Sequence, residues 1–244
     1  MKAIQSRDNP FFKELIKLSI SARQRGKSNQ TLLDGTHLLS AYLDAGMLPQ
    51  NVLVNEAALH DEEITALLDR LVAVPITQLD DKLFAELSEL KTSTGIIALI
   101  DIPQPTVHIA DSNFALLLED IQDPGNLGSM LRSAAAAGCD AVYLSIGCAD
   151  AWSPKVLRAA MGGHFALNIY ERQNLPAVAQ AFDGALLATS LQATASLYDC
   201  DLSSNVAFMI GNEGAGLSDA LMRHATQAIS IPMQGKVESL NAAA

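Results

Sequence analysis

The chain has 244 residues, 49% of them apolar, enough for one large core or two smaller ones. No apolar run approaches the roughly 18 residues of a membrane span, the start at Met1–Arg7 lacks the apolar stretch of a secretory signal, and the three cysteines (Cys139, Cys148, Cys200) are odd in number and have no metal-ligand spacing, so a cytoplasmic protein with reduced thiols is expected. The net charge of −11 argues against nucleic acid, but its distribution does not: residues 1–27 hold seven basic and two acidic residues, a local +5, while the remainder carries −16.

Asn9-Pro10 reads as a helix start, with Asn as cap and Pro in the first turn. Phe12, Leu15, Ile16, Ser19 and Ile20 follow at helical spacing and leave Lys13 and Lys17 on another face. The basic run fits either an RNA-facing surface or an ordinary solvated helix face. Strand-like and helix-like runs then alternate: Leu32-Leu33, a helix from Thr36 that Gly46 can end, Val52–Val54, an acidic helix over Glu62–Leu71, Val72–Ile76, a helix over Asp81–Leu90, and Gly95–Ile100. These predict a small α/β domain over residues 1–106, including a linker at Asp101–Thr106, where two prolines disfavour regular structure.

Residues 107–244 predict a second α/β domain. Its strands are Phe114–Leu118, Ala141–Leu144, Ala185–Ala188, Val206–Ile210 and Ala228–Ile231; its helices are Leu127–Ala137, Val156–Met161, Ala177–Phe182 and Asp219–Ala225. The strands are continuously apolar rather than alternating, which implies a sheet covered on both faces. Trp152, before Ser153-Pro154, reads as a loop anchor, and the five histidines form no cluster.

Three blocks carry the chemistry. The first is Asp123-Pro124-Gly125-Asn126-Leu127-Gly128-Ser129-Met130-Leu131-Arg132, the second Ile210-Gly211-Asn212-Glu213-Gly214-Ala215-Gly216-Leu217-Ser218, and the third Pro232–Asn241 with Ser239-Leu240-Asn241 at a helix start. Each follows an apolar run, which puts glycines and polar side chains at one edge of a sheet, where α/β folds bind ligands. Gly125 and Gly128 allow close backbone approach beside a helix N-terminus. Arg132, on an otherwise apolar helix, either reaches the surface, pairs with Asp123 or serves a site. The Gly-x-x-Gly at 125–128 is a poor dinucleotide fingerprint, and no acidic residue ends the next strand at Leu144-Ser145.

In order and content, the three blocks resemble the motifs of the SpoU/TrmH branch of the SPOUT methyltransferases, which methylate RNA ribose 2′-hydroxyls. The resemblance spans about residues 112–241. It implies S-adenosylmethionine as cofactor, no metal, a deep trefoil knot, and RNA, preferentially ribosomal, bound across a homodimer. Carried over residue by residue, it implies catalytic roles for Asn126, Arg132, Glu213, Ser239 and Asn241, and a cofactor cleft lined by Thr189, Gly211, Ile231 and Leu240. More weakly, residues 4–39 resemble the ribosomal-protein-like substrate-binding domain attached to many TrmH-like enzymes. That makes Lys13, Lys17, Arg23 and Arg25 candidates for RNA phosphate contacts. Relatives continue into a long C-terminal helix, so the stop at Ala244 reads either as a truncation or as a sequence that omits a disordered or degraded tail. The alternatives are a tRNA 2′-O-methyltransferase, a non-catalytic RNA-binding or assembly protein on the same fold, and a nucleotide-dependent Rossmann enzyme.

Overall fold

The computed structural model describes residues 1–88, 90, 93–233, 241 and 243. Ser239, Leu240 and the 234–240 stretch on which the expected knot depends lie outside the described residues. In chain order, the first part builds β1 (Lys2–Ile4), α1 (Pro10–Ile20), α2 (Ala22–Ser28), β2 (Gln30–Asp34), α3 (Thr36–Asp44), β3 (Asn51–Val54), α4 (Glu62–Asp69), β4 (Ile76–Leu79), α5 (Asp81–Leu87) and β5 (Ile96–Asp101). The five strands form one mixed sheet in the order β1-β4-β3-β5-β2, with β5 antiparallel to both of its neighbours.

Helix α1 starts where its sequence predicts. The Asn9 side chain accepts from the Phe11 and Phe12 N–H groups, and Pro10 fills the first turn. Phe12, Leu15 and Leu18 pack against Leu32, Leu53 and Phe84, each fully buried side chain contributing about 2 kcal/mol over an exposed one. Ile20, expected on that stripe, is 76% exposed at the helix end. The strand expected at Val72–Ile76 lies later, at Ile76–Leu79, because turn bonds from Leu71 to Leu68 and from Val74 to Leu71 carry the chain round and leave Val72 exposed. Strand β1 and helix α2 had no clear sequence signal: β1 is three residues long, and α2 reads ARQRGKS.

The second part builds β6 (Phe114–Leu118), α6 (Pro124–Ala136), β7 (Ala141–Ser145), α7 (Pro154–Ala160), β8 (Asn168–Gln173), α8 (Leu175–Ala181), β9 (Ala185–Thr189), β10 (Ala195–Ser196), β11 (Val206–Ile210), α9 (Asp219–Met222) and β12 (Gln227–Ser230). Seven of these strands form an entirely parallel sheet in the order β10-β12-β9-β11-β6-β7-β8. Alternate residues pack on opposite faces. Ala115, Leu117, Ala207 and Met209 meet Leu175, Val178 and Ala179 of α8, whereas Val206, Leu187 and Ile229 form a separate cluster with Phe114 and Phe208. This is the doubly covered sheet that the continuous apolar strands imply.

The chain divides into two units: Met1–Pro103 with Trp152–Phe165, and Gln104–Ala151 with Ala166–Ala244. The expected split at residue 106 therefore changes in one respect. Helix α7 and its flanks, expected in the second domain, pack in the first unit. Thr31 Oγ1, fully buried, donates to the Trp152 carbonyl at 2.7 Å; His164, 1% exposed, lies against the Trp152 ring at 5.0 Å between centroids; and Phe165 meets Tyr42 edge-on at 5.1 Å. The anchoring role expected of Trp152 is thus within the N-terminal unit. Among the described residues, no helix is long and apolar enough to cross a membrane, and no group of three or more His, Cys, Asp or Glu residues is arranged to hold a metal.

Candidate active site

Because β6, β9, β11 and β12 run parallel in register, their C-terminal ends reach the same edge of the sheet: Leu118 lies beside Ile210, and Thr189 beside Ile229. The loops leaving these strands wall a cleft of about 960 Å³. Thr189, Gly211, Glu213, Ile231 and Asn241 line it, with apolar walls from Phe208, Leu217 and Met130. Thr189 Oγ1 donates to the Met209 carbonyl at 3.2 Å, tying the end of β9 to β11. Asn241 also accepts the Ala243 N–H at 2.8 Å.

The loop after β11 is tightly specified. Asn212 Oδ1 accepts from the Gly214 and Ala215 N–H groups, at 2.9 and 3.1 Å, and the Gly216 N–H returns to the Asn212 carbonyl at 2.8 Å. Gly216 takes φ +69°, a left-handed conformation that suits glycine. At Gly211 the requirement is different: a Cβ would overlap the backbone of Gly216 and Leu217. The glycine lets the loop fold back on its own first residue.

The first block is not a loop followed by a helix near Leu127. Helix α6 starts three residues earlier, at Pro124, because Asp123 Oδ1 accepts the Asn126 N–H at 2.8 Å and Pro124 supplies a preset first-turn φ. Gly125 and Gly128 therefore sit inside the helix. Asp123 is committed to this cap and does not pair with Arg132. Asn126 Nδ2 donates to Glu213 Oε1 at 2.5 Å, so the first and second blocks meet directly. Ser218 caps α9 with its own hydroxyl, and Glu213 has no part in that cap.

Arg132 is not brought to the cleft. Met130, Ser133, Ala134 and Ala137 form the cleft-lining face of α6, and Arg132 lies off that face on the exposed side of the helix. Leu127, Leu131 and Ala134 of α6 are buried within their own unit.

Residues 113–244 match the SpoU rRNA Methylase family, and residues 9–98 match an MRM3-like substrate binding domain. The 23S rRNA (guanosine(2553)-2′-O)-methyltransferase RlmP of Bacillus subtilis is 34% identical over 246 residues, covering 100% of this chain and 95% of its own length. The chain belongs to the SpoU rRNA methylase family. The mitochondrial rRNA methyltransferase 3 of Homo sapiens is 38% identical over 59% of this chain and 36% of its own length. Among solved structures, an RNA 2′-O ribose methyltransferase superposes with a TM-score of 0.80 at 31% identity, covering 99% of this chain and 93% of that one. An AdoMet-bound rRNA methyltransferase from Sinorhizobium meliloti superposes at 0.83 and 25% identity, with the same coverage.

Several residues that shape this SpoU site were not singled out from the sequence. Asp120, just past β6, holds φ +55°, a conformation that costs a non-glycine residue about 1 kcal/mol. Its carboxylate accepts from Ser145 Oγ at 2.6 Å, and its carbonyl accepts from Asn212 Nδ2 at 3.0 Å. Glu119 accepts from the N–H and hydroxyl of Ser218, at 2.6 and 2.8 Å. The available signal was a Glu-Asp pair closing an otherwise apolar strand. Nearby, Cys148 Sγ lies 3.2 Å from the Leu118 carbonyl, and burial pushes its thiol above the ordinary cysteine value. That direction favours the thiol over the thiolate.

In the N-terminal unit, one expected RNA contact is corrected. Arg25 is 5% exposed, and its guanidinium donates to the Leu18 and Ser19 carbonyls at the end of α1. That role is structural. Lys17 and Arg23 are exposed, and Lys13 is exposed in a 2.7 Å ion pair with Asp8, whose carboxyl it holds below the ordinary aspartate value.

Proposed function

We propose that this chain is an S-adenosylmethionine-dependent methyltransferase acting on a ribose 2′-hydroxyl of ribosomal RNA, with residues 1–106 as its principal RNA-binding part and 107–244 as its catalytic part. The observation that carries the reading is the hydrogen bond from Asn126 to the cleft-lining Glu213, in a chain whose residues 113–244 match the SpoU family and which aligns over its full length with RlmP. The residues present suit the cofactor: backbone groups at the strand ends, apolar walls for an adenosine and a volume in the usual small-molecule range. Thr189, Gly211, Ile231 and Leu240 are assigned to hold it. When bound, the cofactor supplies an electrophilic methyl group on a sulfonium sulfur.

The ribose hydroxyl is a weak nucleophile, so its proton must leave as attack proceeds. Arg132 cannot take that proton, because its guanidinium stays charged. It is assigned to bind the substrate phosphate and stabilise the developing oxyanion, the proton passing to the phosphate or a water. Asn126 and Glu213 hold the first two blocks together, and Ser239 and Asn241 orient the ribose. The knot belongs to this reading, as does a cytoplasmic location, in keeping with three free thiols. Incubating purified protein with S-adenosylmethionine and unmodified rRNA, then mapping 2′-O-methyl groups, tests the activity. A single new site is expected, and no methyl incorporation would reject it.

Lys13, Lys17 and Arg23 are assigned to RNA phosphates. Changing all three to Gln should weaken RNA binding and flatten the salt dependence by about 2–3 in log–log slope. An unchanged slope would mean a solvated helix face only. Arg25→Gln should instead lower thermal stability, because the Leu18 and Ser19 carbonyls lose a buried charged donor.

The active form is a homodimer, with RNA bound across its two-fold axis. Such an arrangement gives the outward-facing Arg132 a role that its own subunit's cleft does not. Its surface on α6 is assigned to the exposed side away from the cleft, including Arg132 and Ala136, since the larger apolar residues are buried internally. Light scattering should give a dimer at micromolar concentration, and a monomer throughout would exclude it.

A further inference from the structure

We propose that Glu119 is a positioning residue for the cofactor loop, acting through Ser218. Glu119 follows β6 directly, and its N–H continues the strand pairing by donating to the Ile210 carbonyl at 2.9 Å. Its two carboxylate oxygens then divide between two donors of one residue. Oε2 accepts the Ser218 N–H at 2.6 Å, and Oε1 accepts the Ser218 hydroxyl at 2.8 Å. Ser218 closes the 211–217 loop, and every residue of that loop lines the cleft. The neighbouring Asp120 holds the opposite end, its carbonyl taking Asn212 Nδ2 at 3.0 Å. Two consecutive residues at the end of one strand thus grip both ends of a loop whose middle faces the ligand.

Glu119 itself does not line the cleft and touches no reacting group. It works by removing freedom from the empty loop, so that less ordering opposes cofactor capture. The bonds are charge-assisted and bidentate, which fixes direction as well as distance. Ser218 Oγ also accepts the Leu221 N–H at 3.3 Å, so the same hydroxyl links the loop to the start of α9.

This inference rests on the reading of the cleft as an S-adenosylmethionine site, and the parent protein tests that reading separately. Calorimetric titration of the full chain with S-adenosylmethionine should give saturable binding for the parent. Glu119→Ala should raise Kd at least about tenfold, and the cofactor KM in parallel, as expected for loss of preorganisation. Turnover at saturating cofactor should stay within about threefold, and the KM for RNA should not move. Glu119→Gln should recover most of the affinity, because the amide oxygen can take the Ser218 N–H while its NH₂ donates to the hydroxyl. Ser218→Ala should give an intermediate rise, and combining it with Glu119→Ala should add less than the sum of the two single effects. A parent that binds, with Glu119→Ala and Ser218→Ala both binding equally well, would overturn the inference. So would a loss confined to turnover with unchanged Kd. A parent that does not bind would remove the cofactor reading on which it stands.

Discussion

Arg132→Ala should lose at least about a hundredfold in single-turnover methyl transfer while binding S-adenosylmethionine within about twofold of the parent, the size expected when a charge that acts mainly in the transition state is removed. The split follows from position. Arg132 is off the cleft-lining face of α6, so its loss is expected to leave cofactor binding intact. It is the sole Lys or Arg between Gln104 and Ala151, in a chain of net charge −11, so no neighbouring cation in that stretch can replace it beside an RNA phosphate. Arg132→Lys should recover only part of the rate, because an ammonium lacks the planar fork that grips a phosphate. Rapid-quench measurement with a radiolabelled methyl group decides the matter, and a near-parental rate for the Ala variant would remove Arg132 from the mechanism.

Gly211→Val should abolish measurable cofactor binding. In the structure, the space beyond Gly211 is taken by the backbone of Gly216 and Leu217. Any Cβ there must push the returning arm of the loop outward, and overpacking of this kind costs about 1–3 kcal/mol. Gly211→Ala should therefore already weaken binding about tenfold, with Val worse because its branched side chain adds bulk at the same point. Gly214→Ala is the control within the loop, since its Cβ would meet only Asn212 Oδ1 at 3.5 Å, an ordinary contact. Calorimetry on the three variants, with melting curves to verify folding, gives the comparison. Equal binding by Gly211→Val and the parent would place the cofactor elsewhere.

What was legible in the sequence was local. Asn9-Pro10 predicted its helix start because cap and proline act within one turn, and the apolar runs predicted the core strands of the parallel sheet because burial on both faces needs no partner to be named. Asp123-Pro124 was equally local, yet the glycines beside it drew attention to a loop and moved the expected start of α6 by three residues. Long-range pairing was not legible. Nothing in the residues around Arg25 says that its guanidinium folds back onto the end of α1 rather than into solvent. Asn126 and Glu213 stand 87 positions apart, and their hydrogen bond exists only once parallel strands have brought both motifs to one edge. Glu119 and Asp120 were visible as an acidic pair, but their use as acceptors for Ser218 and Asn212 is a property of neighbouring strands. The polar edge strand β8, NIYERQ, carries no apolar run and left no sequence signal.

The return of Trp152–Phe165 to the first unit has a consequence for descent. The chain passes between its two units at 103/104, 151/152 and 165/166, so the first unit is not a detachable prefix. Trp152, Val156, Leu157 and Ala160 are buried there by residues encoded much earlier. A recombination event that replaced only the part of the first unit before residue 104 would strand these apolar side chains in water. New target preferences in such a lineage should arise by point substitution on the exposed faces, or by paired exchange of both segments, and the two halves of the chain should be inherited together.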